Sequence, residues 1–323
     1  MSRPEVVFLD AATYGDISLQ RFSERWTCTI HQVTRPMETS QRLDGHSIAV
    51  TNKVAIDEAV LASAGARTLR LIVVAATGTD IIDREAAKRF GVKVCNVPGY
   101  ATQSVSQFTM ALILELATRS ARYQKMVTDG EWQKSPVFTL LSYPAIELSG
   151  KKLGIVGHGN IGQTVAQMAR GFGMEVLVAA RPGAEGPIPA DRTPVDQLFQ
   201  QADMVSLHCP LTPQTRHLIN QASLALMKST AFLINTARGA LVDEEALIQA
   251  LRERRLAAAA LDVISHEPPP PDHPVILAAL ELDNLIVTPH IAWSAREARE
   301  RLLWEVEQNI SAFLEGQDRN QVA

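Results

Sequence analysis

The stretch Lys152-Leu153-Gly154-Ile155-Val156-Gly157-His158-Gly159-Asn160-Ile161-Gly162 decides the reading of this chain. Leu153, Ile155 and Val156 form the short apolar run of a buried parallel strand. Ile161, Val165, Met168, Ala169 and Phe172 then recur at helical spacing, up to Gly171 and Gly173. Between strand and helix lies a complete G-x-G-x-x-G. Gly157 permits the tight turn, Gly159 lets a pyrophosphate approach the backbone, and Gly162 lets the helix pack closely on the strand. The free N–H groups at the helix start then face such an anion. Glycine triplets also occur in ordinary turns; the flanking strand and helix are what point to dinucleotide binding.

Working outward, 323 residues are long for one core and favour two domains. With 46% hydrophobic and 20% charged residues, the composition can build both. Lys and Arg total 31 against 35 Asp and Glu, so a net charge of −4 gives no electrostatic reason for nucleic acid or an anionic membrane. Cys28, Cys95 and Cys209 lie far apart, without C-x-x-C or zinc-site spacing, and read as reduced thiols of a cytoplasmic protein with no metal. The opening, Arg3 to Asp10, is charged and strand-like rather than a signal peptide, and no apolar run reaches about 18 residues, so no membrane partner is expected.

Apolar runs at Glu5–Asp10, Thr27–Val33, Ser47–Asn52, Leu69–Thr77 and Val92–Val97 alternate with helical stretches, which predicts a parallel sheet with helices on its faces. The fourth run passes into Ala76-Thr77-Gly78, where backbone N–H groups beyond a strand end can hold a small anion; Gly78 equally serves as a plain turn. A helix from about Thr102 to Arg119 follows, with Ser104 and Gln107 placed for a capping box and an apolar centre that predicts burial between the two domains. Tyr123 to Ser149 reads as a less regular arm carrying Trp132, Phe138, Leu140, Leu141 and Tyr143. Packing against a second subunit is its natural use, and packing on its own chain the alternative. Beyond the glycine loop, strands at Glu175–Ala180, Met204–Cys209, Ala231–Thr236, Ala257–Val263 and Leu285–Thr288 complete a set of six. The final helix, roughly Ala295 to Leu314, should return to the first domain.

Three polar sites stand where strands of the second domain end: Asn235 to Gly239, Asp262 followed by Glu267-Pro268, and Thr288-Pro289-His290. Arg238 offers a planar fork that matches a carboxylate, and it could also cap the preceding strand. His290 is the side chain here suited to proton transfer near neutrality, and Glu267 beside it would favour the protonated imidazole, an acid for a carbonyl oxygen receiving hydride. Glu267 could instead be a solvated turn residue. After the second strand of this domain comes Ala180, where an NAD-specific site carries Asp or Glu. With Arg181 next to it, the chain lacks the main barrier to a 2′-phosphate, so NADP(H) is favoured over NAD(H).

These segments, with Ala76-Thr77-Gly78-Thr79-Asp80, Asn96-Val97-Pro98-Gly99-Tyr100 and Pro289-His290-Ile291-Ala292-Trp293, resemble the D-isomer-specific 2-hydroxyacid dehydrogenase family, its glycerate dehydrogenases and hydroxypyruvate reductases in particular. The match runs from about residue 47 to 301, in the family's order. The resemblance implies two doubly wound α/β domains with parallel sheets. A flavodoxin-like substrate domain, residues 1–98 and 295–323, has a Rossmann cofactor domain, residues 99–294, inserted in it, and the active site is expected in the cleft. It also implies that Arg238 binds the carboxylate and carbonyl of a small 2-oxo acid, that Glu267 supports His290, and that His290 donates the proton. Asp262 would hold the nicotinamide carboxamide, and Asn160, Ile161, Pro210, Thr236 and Ala237 would line the NAD(P) site. Family members are usually homodimers built through the cofactor domain, in agreement with the arm. Formate or phosphite dehydrogenases of the same fold, and dinucleotide-sensing scaffolds, are the competing readings.

Overall fold

The computed structural model describes residues 4–183 and 186–323; Arg3, where the opening strand of the sequence reading begins, lies outside them. The chain divides into two compact units, Met1–Ala101 with Ser294–Ala323, and Thr102–Trp293.

In the first unit, β1 (Glu5–Phe8), β2 (Thr27–Ile30), β3 (Ile48–Thr51), β4 (Leu71–Val74) and β5 (Lys93–Cys95) form a parallel sheet of order β2-β1-β3-β4-β5, the flavodoxin-like arrangement. Successive side chains of a strand point to opposite faces, so each face has its own core. Val7, Leu9, Ala49, Ile72 and Val74 pack with Leu43 and Ala86 on one side. Phe8, which alternates with them, meets Phe22 edge to face, with ring centroids 5.0 Å apart. The C-terminal helix Arg296–Leu314 belongs to this unit, lies against β4 and buries Leu302, Leu303, Val306 and Ile310.

In the second unit, β6 (Lys152–Val156), β7 (Glu175–Val178), β8 (Met204–Leu207), β9 (Phe232–Asn235), β10 (Ala258–Leu261) and β11 (Leu285–Val287) form a parallel sheet of order β11-β10-β9-β8-β6-β7. Both faces are covered. Leu153, Ile155, Met204, Ile234 and Ala260 face the helices Thr102–Thr118 and Asn160–Gly171, while Val156, Leu207, Leu233 and Leu261 join the opposite core. That is why these strands are near-continuous apolar runs in the sequence. A parallel bridge between Ala179 and Thr193 sits on the free edge of β7 and is a one-residue trace of a further strand. With it the order is that of a Rossmann sheet, which reverses between β6 and β8.

Two local expectations change. The helix begins at Thr102, so Ser104 lies inside its first turn rather than at its cap; its Oγ donates to the Ala292 carbonyl at 2.6 Å. The arm is less irregular than its mixed composition suggests. Arg119, in a left-handed conformation, ends one helix, and a second runs from Ser120 to Thr128, followed by a single 3-10 turn, Trp132–Lys134. Beyond it the chain is irregular, with Phe138 and Leu141 89% and 86% exposed.

Candidate active site

The three glycines of the loop differ in what surrounds them. Gly157 has φ +98°, and a Cβ there would lie 2.4 Å from the Cys209 nitrogen at the end of β8. A Cβ on Gly162 would lie 2.1 Å from the Gly157 carbonyl oxygen, so strand turn and helix touch backbone to backbone. Gly159, by contrast, has nothing within 4 Å of its Cβ position and caps the helix in extended conformation. Two glycines are thus required by the fold itself. The third clears space directly over the helix N-terminus, which fits a dinucleotide pyrophosphate.

Around this turn, exposed Asn160 and half-buried Ile161 open the helix. Exposed Pro210 leaves β8 with its carbonyl accepting from Thr215 Oγ1 at 2.7 Å. Thr236 leaves β9 with its hydroxyl 2.9 Å from that of Thr109, both buried. At the end of β7, Ala180 donates its N–H to Thr193 at 2.8 Å, and exposed Arg181 follows. Burial, with the nearby charges of Arg192 and Arg170, holds the His158 ring below its ordinary range.

Arg238 follows β9 in a turn tied by the buried Asn235, whose amide nitrogen donates to the Arg238 carbonyl at 2.9 Å and whose oxygen accepts from Ala237 N–H at 3.0 Å. Gly239 then runs against the chain leaving β10: a Cβ there would stand 1.9 Å from the carbonyl carbon of Ile264. The loop so pinned carries Glu267. One carboxylate oxygen accepts from Ile264 N–H at 2.9 Å, and the other lies 2.6 Å from His290 Nδ1. Both side chains are about a third exposed, at 32% and 27%. With Nδ1 occupied by the carboxylate, Nε2 is the ring nitrogen left to exchange a proton with another group.

His290 itself is bracketed by Asp262. Its N–H donates to the Asp262 carbonyl at 2.8 Å, while the Asp262 carboxylate accepts from Ile291 N–H at 3.0 Å, Ala292 N–H at 2.9 Å and Thr288 Oγ1 at 2.6 Å. His290 has φ +54°, a left-handed conformation costing about 1–3 kcal/mol that persists only where neighbouring bonds impose it. Asp262 is 1% exposed, and burial raises its pKa, partly offset by these three donors. Since a carboxylate has about four acceptor positions, one remains for a further donor such as a carboxamide.

Arg238, Asp262, Glu267 and His290 therefore share the carboxyl-end edge of the sheet with the glycine loop, as the strand order requires. Ala76, Thr77 and Gly78 lie in the other unit, at the end of β4. There Thr77 Oγ1 donates to the Val97 carbonyl at 2.9 Å and the Asn96 amide donates to the Thr77 carbonyl at 2.7 Å. Reading by residue type passes over Glu244, which grips the loop carrying Glu267 from a distant helix; its only sequence signal is an acidic pair at a helix start. Among the described residues, no group of three or more His, Cys, Asp or Glu is placed to hold a metal ion, and no helix is long and apolar enough to cross a membrane.

Residues 110–292 match the family described as D-isomer specific 2-hydroxyacid dehydrogenase, NAD binding domain. The chain is 38% identical to a glycerate dehydrogenase of Methylorubrum extorquens over 98% of both chains. It is 42% identical to a glyoxylate reductase of Aeropyrum pernix over 77% of this chain and 74% of the relative. Among solved structures it is similar to the TT0316 protein of Thermus thermophilus, with a TM-score of 0.86, 36% identity and coverage of 99% of this chain and 100% of that one.

Proposed function

The chain belongs to the D-isomer-specific 2-hydroxyacid dehydrogenase family, and we propose that it reduces a small 2-oxo acid, hydroxypyruvate or glyoxylate, with a reduced nicotinamide dinucleotide. The product is the 2-hydroxy acid, of D configuration where C2 becomes a stereocentre. The observation that carries this reading is the 2.6 Å contact between His290 Nδ1 and Glu267, on the same sheet edge as the glycine loop.

A bound reduced nicotinamide supplies the hydride. Everything else falls to this chain's side chains. Arg238 presents its fork to the carboxylate of the 2-oxo acid. His290, protonated and steadied by Glu267, gives the Nε2 proton to the carbonyl oxygen as C2 accepts the hydride, and solvent restores that proton. The charged guanidinium and imidazolium offset the negative charge gathering on that oxygen. Asp262 acts from below, keeping His290 in its left-handed conformation.

For the phosphate of the dinucleotide, the reading is NADPH over NADH. Ala180 places no carboxylate at the end of β7 to repel a 2′-phosphate, and the exposed Arg181 next to it supplies positive charge. Ala76 to Gly78 is assigned to the substrate carboxylate, and the exposed apolar arm to a second copy of the chain. Cys28, Cys95 and Cys209 are all free thiols, which supports a reducing, cytoplasmic location.

The test is NADPH and NADH oxidation with glyoxylate, hydroxypyruvate, pyruvate and phenylpyruvate, and the reverse reaction with formate and phosphite. Turnover is expected with one of the first two acids, with kcat/KM higher for NADPH. Turnover confined to formate or phosphite, or dinucleotide binding without turnover, would overturn the proposal. A tenfold preference for NADH would remove only the argument from Ala180 and Arg181.

A further inference from the structure

Glu244 stands in the first turn of the helix Glu244–Arg252, yet it does not serve that helix. Asp243 caps it, its carboxylate accepting from Ala246 N–H at 3.1 Å. Glu244 turns away instead, 12% exposed, toward the loop that carries Glu267. One of its oxygens accepts from the Ser265 N–H at 2.6 Å and the other from Ser265 Oγ at 2.8 Å. The second oxygen also lies 3.6 Å from Nε2 of His273, a ring only 7% exposed. His273 Nδ1 accepts from Val275 N–H, which places the ring proton on Nε2, toward Glu244.

A single carboxylate thus holds Ser265 by two hydrogen bonds and lies beside His273 at the other end of the segment. The segment between is Ser-His-Glu-Pro-Pro-Pro-Pro-Asp-His, and its four consecutive prolines have no N–H with which to anchor themselves. Inside it, the Glu267 carboxylate must reach Nδ1 of His290 while its other oxygen holds Ile264 N–H. Release of Ser265 would free the chain one residue from Ile264 and two from Glu267.

We propose that Glu244 is a positioning residue of the active site: it fixes Ser265 so that Glu267, two residues on, meets His290 in the geometry proton delivery needs. This rests on the reading of Glu267 and His290 as the proton-delivering pair.

The test is a double-mutant cycle on the full-length protein, reading kcat and KM for the 2-oxo acid, Kd for NADPH, the pH profile of reduction, and Tm. Glu244→Ala should lower kcat roughly 10–100-fold, the scale on which misplacement of about 1 Å acts, with the Kd for NADPH within about twofold of wild type. Glu244→Gln and Ser265→Ala each remove part of the grip and should cost about 3–10-fold. In a Glu267→Gln background, Glu244→Ala should cost less than about threefold, because the group it positions is gone. Its pH profile in the Glu267 background should shift in the direction that Glu267→Gln shifts it. Effects that multiply independently in the double variant, or wild-type kcat in Glu244→Ala beside an impaired Glu267→Gln, would overturn the proposal alone. Wild-type turnover of Glu267→Gln would overturn the reading beneath it as well. Should Glu244→Ala not fold, Glu244→Gln and the exposed-site variant Ser265→Ala complete the same cycle.

Discussion

Replacing each glycine of the loop by alanine separates what the fold needs from what the cofactor needs. At Gly162 the new methyl would lie 2.1 Å from the Gly157 carbonyl oxygen, against an ordinary contact of 3.4–4 Å, so strand turn and helix must part by more than 1 Å. Overpacking of backbone on backbone costs about 1–3 kcal/mol, a fall in Tm of roughly 2–12 °C for a unit of this size. Gly159→Ala meets nothing within 4 Å, and its backbone is extended, not left-handed. There the loss of a favoured helix-cap residue and the reduced freedom of the unfolded chain, each about 0.4–1 kcal/mol, nearly cancel. Tm should then stay within about 2–4 °C of wild type. The same methyl projects into the space assigned to the pyrophosphate, and loss of one charge-assisted hydrogen bond, about 1.5–3 kcal/mol, weakens binding roughly 10–150-fold. Scanning fluorimetry gives Tm, and calorimetric titration with NADPH gives Kd. Wild-type affinity in Gly159→Ala, or a larger stability loss there than in Gly162→Ala, would refute the division of roles.

Arg238→Lys keeps the charge but loses the fork, so substrate KM should rise at least tenfold while the Kd for NADPH changes little; equal effects on both would assign Arg238 to the cofactor or the fold. On the proposal that the exposed arm docks a second copy, the wild type should sediment as a dimer and Phe138→Asp with Leu141→Asp, which places two charges on the arm, as a monomer; an unchanged dimer would move the interface elsewhere. Burial pushes His208 from its ordinary 6.5 down to about 3, so the folded protein keeps the ring neutral. Between those values the unfolded chain binds a proton that the folded chain does not, and stability falls as pH drops from about 6.5 toward 3. Tm should therefore fall less between pH 7 and 5 in His208→Asn than in wild type, and equal slopes would show that the ring's burial is not what acid attacks.

The glycine loop is legible without any structure because anion binding by backbone depends on residue types at neighbouring positions. The strands are legible because both their faces are buried, so that Leu233, Ile234 and their like run without polar interruption. The pairing of Glu267 with His290 is different in kind. They meet because β10 and β11 are neighbours in register, Leu261 beside Val287, and no local spacing encodes that; the sequence offers only their places at strand ends of one domain and the resemblance of whole motifs. The Asp262 cage and the reach of Glu244 to Ser265 are long-range in the same way, and their acids look like ordinary polar residues at element ends. The second arm helix is hidden for a local reason: the left-handed Arg119, which is not a glycine, breaks the helical period where composition gives no sign of it.

If His290, held by Glu267, delivers the proton to the 2-oxo acid, its loss must slow reduction and spare dinucleotide binding. The measurement that tests it most directly is kcat for reduction of hydroxypyruvate or glyoxylate by wild type and His290→Asn, with the Kd for NADPH taken on the same preparations. A fall in kcat of roughly 10²–10⁴ is expected, the range that general acid catalysis supplies, with dinucleotide affinity unchanged. Turnover within a few-fold of wild type in His290→Asn would contradict it.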